Sequence, residues 1–148
     1  MKRMFISGVL SGKKFIALVL SAIVVVLLLR IVGAGLVGDG KIRSERDVVK
    51  FLVDKGWEVN EEPTEVKTVE IPKNFSDVYE NYNNIQKKSG YDLSRHKART
   101  AVRYTFEVTN FTDKTGVFAN VLVVDGEVAG GDICSYAMDG FMVGLDGK

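Results

Sequence analysis

The 148-residue chain is poor in the residues that give small proteins covalent or metal-borne stability: one cysteine, one histidine and two prolines. A lone Cys134 closes no internal bridge, so a disulfide scaffold is excluded and the fold must rest on packing. One histidine and one cysteine do not assemble a zinc site from the usual ligands, and two prolines exclude a proline-rich stalk. The chain contains no G-x-x-x-x-G-K, G-x-G-x-x-G, H-E-x-x-H or C-x-x-C. Phosphate loop, dinucleotide fingerprint, zincin helix and dithiol redox pair are therefore all missing, and neither cofactor nor metal is expected.

Acidic residues are also missing, but only locally. Residues 1–38 contain Lys2, Arg3, Lys13, Lys14 and Arg30 and not one Asp or Glu. The overall net charge of +1 is thus the sum of +5 in this segment and −4 in residues 39–148, which hold 15 basic and 19 acidic residues. The chain is two chemically different pieces. A net acidic body argues against nucleic acid as a partner.

The first piece reads as a membrane segment. Phe15–Leu29 (FIALVLSAIVVVLLL) carries no charge, and after Arg30 the apolar character continues to Gly38. A helix rising about 1.5 Å per residue needs roughly 20 residues to cross the hydrocarbon core. That length is reached once Ile31–Val37 is included and Arg30 snorkels outward. Without acidic residues the segment has no solvent face, so a buried core helix is a poor reading. The basic residues before the span favour an N-terminus inside and the remaining chain outside. The alternative is a cleaved signal peptide with Gly33-Ala34-Gly35 as its small-residue exit, which leaves a secreted protein. No cysteine lies near the span, which excludes a lipoprotein anchor. The expected organisation is an anchor or signal peptide over 1–38, a linker over 39–43 and an extracytoplasmic domain over 44–148.

Within the second piece, Ser44 reads as an N-cap with Asp47 in a box-like position. Val48, Phe51 and Leu52 mark a helical face, and Gly56 ends the helix. Glu65–Ile71 reads as a strand closed by Pro72. Asn74 or Ser76 caps a second helix, whose expected face is Phe75, Val78, Tyr79, Tyr82, Ile85 and Gln86, with Gly90 as its stop. Tyr91–Arg99 reads as a loop. From Thr100 the pattern alternates, with Val102, Tyr104, Phe106 and Val108 on one face. Val117–Val124 is apolar on both faces and belongs at the centre of a sheet. Asp125-Gly126 is a type I′ hairpin signal. A tight two-residue turn pairs Val124 with Glu127, Val123 with Val128, Val121 with Gly130 and Asn120 with Gly131. Gly130-Gly131 then marks a bulge or a close approach. Phe141–Leu145 is a last short strand or packed tail. The order α-β-α-β-β-β, with that optional final β, predicts an α+β domain: two helices on one face of an antiparallel meander.

Candidate functional residues are few. Arg95, His96, Lys97, Arg99 and Arg103 form the densest cationic stretch outside the anchor. They read either as a solvated loop and strand end or as a contact for anionic headgroups, an envelope polymer or an acidic partner patch. His96 invites a hydrolase or transferase reading with Asp92, Ser94 or Asp132, although no base-orienting geometry can be argued from sequence. Cys134 reads as a buried small hydrophobe. Glu58, Glu61, Glu62 and Glu65 lack the spacing of a calcium loop. Asn74-Phe75-Ser76 and Asn110-Phe111-Thr112 match the glycosylation sequon, but both asparagines are explained as cap and turn residues.

Four stretches carry a resemblance: FLVDKGWEV (Phe51–Val59), VYENYNNIQKKSGYDL (Val78–Leu93), RYTFEVTNF (Arg103–Phe111) and VVDGEVAGGDICSYAMDGFM (Val123–Met142). Over about residues 45–145 the chain resembles an uncharacterised family of membrane-anchored proteins of Gram-positive bacteria, domain of unknown function 4830. The resemblance implies a tethered extracytoplasmic domain and brings no activity, cofactor or functional residue with it. The expectation is a non-catalytic binding or interaction domain, membrane-tethered and facing outward. One alternative is an accessory or regulatory subunit of a membrane complex that uses Gly33, Gly35 and Gly38 for close helix approach. A further alternative is the small envelope enzyme built on His96.

Overall fold

The computed structural model describes residues 40–111 and 115–147. The expected anchor over 1–38 lies outside the described residues. Among the described residues no helix is long and apolar enough to cross a membrane.

Helix α1 (Glu45–Asp54) starts at Ser44, whose extended backbone and side chain complete a capping box with Asp47. Ser44 N donates to Asp47 Oδ2 at 2.8 Å and Arg43 N donates to the same oxygen at 2.9 Å. These bonds satisfy donors that the helix cannot pair internally, and they hold the Asp47 carboxyl below its ordinary range. Gly56 takes the left-handed conformation (φ +92°) that ends the helix. Strand β1 (Glu65–Glu70) follows. Helix α2 (Asp77–Lys88) is capped by Ser76, of the two candidates, through Tyr79 N. Strands β2 (Thr100–Glu107), β3 (Val117–Val124), β4 (Glu127–Ser135) and β5 (Met142–Gly144) complete the chain. The five strands lie in sequence order and every neighbouring pair is antiparallel. The predicted α+β meander is therefore present, with the optional last strand formed.

The two helices do not share one face. Val117, Ala119, Val121 and Val123 of β3 pack with Phe106, Ile133 and the α1 residues Val48 and Leu52. Leu122 and Val124 point the other way and pack with Ala101, Ile71 and Leu93, and with Phe75, Tyr79 and Tyr82 from the α2 region. Side chains alternate along a strand, so α1 and α2 cover opposite faces. The physical reason is β3 itself: a strand apolar on both faces needs cover on both.

Helix α2 buries a face that apolar periodicity only half identifies. Tyr79, Tyr82 and Gln86 point inward as expected, but Val78 is 79% exposed and Asn83 is fully buried. Asn83 and Gln86 are buried because each satisfies a backbone donor in a neighbouring segment. Asn83 Oδ1 accepts from Leu93 N at 2.8 Å, and Gln86 Oε1 accepts from Gly131 N at 2.7 Å. The first bond docks the segment expected to be loop, which forms a short 3-10 helix over Leu93–His96 with Leu93 buried.

Asp125 (φ +50°) and Gly126 (φ +79°) form the predicted tight turn, and Val124 pairs with Glu127 and Val123 with Val128. Beyond that point the predicted register fails. Leu122 pairs with Gly130, Val121 with Gly131 and Asn120 with Asp132, because the register shifts between Leu122 and Val123. Ala129 is the extra residue of a β-bulge. Close approach of backbone requires Gly131, and Gly130 lies against the end of a side chain. A Cβ on Gly131 would lie 2.1 Å from the Asn120 carbonyl oxygen, and one on Gly130 would lie 2.8 Å from Gln86 Oε1.

The chain enters the sheet at Ile42, inside the stretch read as linker. Ile42 is buried, and its N–H donates to Gly126 O at 2.7 Å. At the other end of the sheet, Trp57 Nε1 donates to Leu145 O at 2.8 Å and Trp57 stacks on Phe111. These contacts tie the tail after β5 to the segment after α1.

Gly131→Ala meets rigid backbone, whereas Gly130→Ala meets the end of a side chain that can move. Gly131→Ala is expected to cost about 3 kcal/mol or more, the upper range for overpacking, and Gly130→Ala distinctly less. Urea unfolding of the two variants checks this, and a Gly131→Ala protein as stable as the parent refutes the close-packed bulge.

Candidate functional site

The bulge determines which residues of β4 face α2. With Asn120 opposite Asp132 and Phe118 opposite Cys134, the side chains of Thr105, Asn120, Asp132 and Cys134 share the α2 face of the sheet. They form a continuous hydrogen-bonded row across three strands. Thr105 Oγ1 donates to Asn120 Oδ1 at 2.8 Å, and Asn120 Nδ2 donates to Asp132 Oδ2 at 2.9 Å and to Cys134 Sγ at 3.4 Å. Tyr82 of α2 closes the row, its hydroxyl donating to Asp132 Oδ1 at 2.8 Å. Asp132 is only 3% exposed, so a carboxylate sits at the bottom of the sheet face with both oxygens engaged.

Helix α2 covers only part of this face. It crosses the strands, with Phe75 and Tyr79 packed near Val69 at the β1 side and Ser89 Oγ bonded to Asp146 beyond β5. The uncovered part is a cleft of about 360 Å³, floored by Asn120, Leu122 and Asp132. Its walls are Tyr79 and Tyr82 of α2, Val69 and Glu70 of β1, Arg103 of β2, Tyr136 and Met142. Tyr136 is 69% exposed and rests on Phe118, with ring centroids 5.4 Å apart. Arg103 pairs with Glu65, while its Nε is buried with no hydrogen-bond partner among the described residues. The cleft thus joins a polar floor to an aromatic and thioether rim, the mixture typical of ligand sites.

Electrostatics quieten the reactive groups there. Burial, reinforced by the neighbouring Asp132 charge, pushes the Cys134 thiol up to about 11. Burial likewise drives the Tyr82 hydroxyl well above its ordinary value, with Asp132 adding to the effect. Both groups are protonated at neutral pH, and a protonated thiol is a poor nucleophile.

The cationic stretch picked out in the sequence is dispersed. Arg103 lies in the cleft, on β2. Arg99 sits at the end of the sheet in an ion pair with Asp125, and Lys97 places its Nζ 4.6 Å from the centroid of the Phe75 ring. Arg95 is exposed on the 3-10 helix, and His96 is half-buried with its Nδ1 unpartnered among the described residues. Among the described residues no dyad forms around His96. Asp132 is taken by Tyr82 and Asn120, and Asp92 is engaged by Asn83 Nδ2 and Ser94 N. Those two bonds hold the Asp92 carboxyl at about 2. Asn110 accepts from Glu58 N and donates to Gly56 O, the structural role expected of it. Among the described residues no group of three or more His, Cys, Asp or Glu is arranged to hold a metal. A second depression, open and shallow, lies beside Arg43, Arg46 and Tyr104, but Asp47 already occupies the helix N-terminus there.

Sequence reasoning missed the cleft because its floor depends on register. In the sequence Asp132 stands out only as a partner for His96. Asn120 and Thr105 carry no motif at all. The one available signal was a run of polar residues (Thr105, Asn120, Asp132) in strands otherwise rich in apolar ones.

A thiol held at about 11 has a thiolate fraction at pH 8 roughly a hundredfold below that of an ordinary thiol. Alkylation of Cys134 by iodoacetamide at pH 8 is expected to be slower than in the urea-unfolded chain by at least that factor. Equal rates in the folded and unfolded protein would contradict the buried, proton-retaining thiol.

No curated protein and no solved structure matches the chain. A family model does: the family described as Domain of unknown function (DUF4830) matches residues 51–133, from within α1 to near the end of β4. The match takes in α2 and the cleft floor and covers more than half of the sequence, and the chain belongs to that family.

Proposed function

We propose that the chain is a non-catalytic binding domain, tethered to the membrane by residues 1–38 and facing outward, that receives its ligand or protein partner in the cleft beside α2 on the sheet face floored by Asn120, Leu122 and Asp132. The tether rests on the apolar run Phe15–Leu29, the continuation to Gly38 and the excess of Lys and Arg before the span.

The observation that carries the binding reading is the state of the cleft. Its floor is a row of side chains that satisfy one another, from Thr105 through Asn120 and Asp132 to Tyr82. A satisfied network is rigid and pre-organised, and it leaves no base free to activate a nucleophile. The rim is different: Tyr136 and Met142 are exposed, large and apolar. Such groups are costly to leave in water and are enriched where partners dock.

Photo-crosslinking in cells tests this with the full chain. A photoreactive amino acid replaces Met142 at the cleft rim or, as a control of similar exposure, Val53 on the opposite face. Adducts are expected from position 142 and not from position 53, and protease added to intact protoplasts is expected to remove the domain. Adducts equally abundant from both positions, or none from position 142, contradict the cleft as the binding surface. A domain protected from protease contradicts the topology.

A further inference from the structure

Asp132 is a buried anion whose counter-charge is missing among the described residues. It is 3% exposed, and its hydrogen-bond partners there are neutral groups, the Tyr82 hydroxyl and the Asn120 amide. Arg103, the cation that lines the same cleft, is engaged by Glu65 instead. An ionised carboxylate only accepts hydrogen bonds, and it has about four lone-pair positions for them. Tyr82 and Asn120 use one on each oxygen. Their two bonds offset part of the cost of burial, but they do not balance the charge.

The walls around this charge are aromatic. Tyr79, Tyr82 and Tyr136 all line the cleft, together with Met142. Tyr79 and Tyr82 meet edge to face with ring centroids 5.9 Å apart, and Tyr136 rests on Phe118. The face of such a ring is negative and attracts a cation lying within about 6 Å of its centroid. A thioether is polarisable and packs well against the same groups. The formal charge of the cleft has the matching sign, with Glu70 and Asp132 against Arg103. Glu65, Lys67 and Glu107 flank it on the same face of β1 and β2 and add one further negative charge.

We infer that the cleft binds a small organic ammonium cation, held by the rings of Tyr79, Tyr82 and Tyr136 beside the Asp132 carboxylate. This inference rests on the cleft being the binding surface. The wall chemistry selects among cations. A hard ion such as calcium takes about six to eight oxygen ligands, and among the described residues no group of acidic, histidine or cysteine side chains is arranged to hold a metal. An alkylated ammonium is weakly hydrated and presents its charge through methyl or methylene groups, which pack on rings and on the Met142 thioether. A neutral ligand of the same shape fills the cleft but leaves Asp132 uncompensated. An anion meets carboxylates in excess.

The test uses the full chain in micelles of an uncharged maltoside detergent, so that no lipid headgroup competes. The chain is titrated with choline, with dimethylbutanol as its uncharged carbon isostere, and with dimethylbutyrate as an anion of similar size. Nuclear magnetic resonance reads the isotope-labelled methyl group of Met142 and the contacts from ligand methyl protons to the tyrosine rings. Choline is expected to shift Met142, to contact Tyr79, Tyr82 and Tyr136, and to bind at least about tenfold more tightly than the alcohol. Dimethylbutyrate is expected to leave Met142 unmoved. Tyr136→Leu, at a position 69% exposed, is expected to weaken choline binding about fivefold, and Asp132→Asn to reduce it to the level of the alcohol. Circular dichroism and the unfolding midpoint confirm that each variant is folded. If Asp132→Asn fails to fold, Tyr136→Leu and the choline-to-alcohol ratio of the parent decide. Alcohol or carboxylate that binds in the cleft as tightly as choline overturns the cation inference and leaves the cleft reading intact. Choline binding unchanged in the folded variants overturns it too. So does a Met142 signal that answers to none of the three ligands, in which case crosslinks from position 142 decide the cleft reading separately.

Discussion

A single extra residue in β4 governs what this domain presents to its surroundings. Side chains alternate with a period of two, so a one-residue slip sends every subsequent side chain to the opposite face. Continued without the bulge, the register of the Asp125-Gly126 turn would place Asp132 opposite Ala119, inside the apolar core, and Ile133 opposite Phe118. The shift at Leu122/Val123 reverses this. Ile133 joins the core against α1, and Asp132 meets Asn120 and Tyr82 on the other face. The bulge is held in place by Gln86, which accepts from Gly131 N, and by the absence of side chains at Gly130 and Gly131. The cleft is thus a consequence of packing around two glycines and one buried amide.

The same logic explains why the sheet lies between helices. β3 is apolar on both faces, and neither α1 nor α2 alone can shield it. α1 supplies an aliphatic surface, Val48 and Leu52, to one side. α2 supplies aromatic rings at its first half and buried amides at its second. The amides cost desolvation, which is offset because each one satisfies a backbone donor that would otherwise be buried and unpaired. Asn83 holds the 3-10 segment and Gln86 holds the bulge, so this helix fixes the two irregular pieces of backbone next to the cleft.

The parts of this fold that were legible in the sequence are those set by local chemistry. The Ser44/Asp47 box, the Gly56 stop, the Asp125-Gly126 turn and the alternation from Thr100 each depend on residues close in sequence, and each forms as expected. The parts that were not legible depend on contacts distant in sequence. Apolar periodicity places Val78 inward and overlooks Asn83, because it scores a polar side chain as solvent-facing whatever backbone donor awaits it. Leu93 is buried in a stretch that reads as loop, held by that same Asn83. Gly130-Gly131 announced a bulge or a close approach. The structure contains both, but the direction of the shift follows only once Gln86 is in place. Of the cationic candidates, Arg103 alone reaches the cleft, since its place on β2 sets its face, while Arg95, Lys97 and Arg99 are set by the segment that leads into the strand.

The placement of the cleft floor on one face and of Ile133 in the core on the other follows from one strand pairing. All of it presupposes the shifted β3–β4 register. Cross-strand proton contacts in a nuclear Overhauser spectrum read that register directly. Contacts linking Asn120 with Asp132 and Leu122 with Gly130 are the predicted result. Contacts linking Asn120 with Gly131 and Val121 with Gly130 would contradict the account, because Asp132 would then belong to the core face and the cleft floor would not exist.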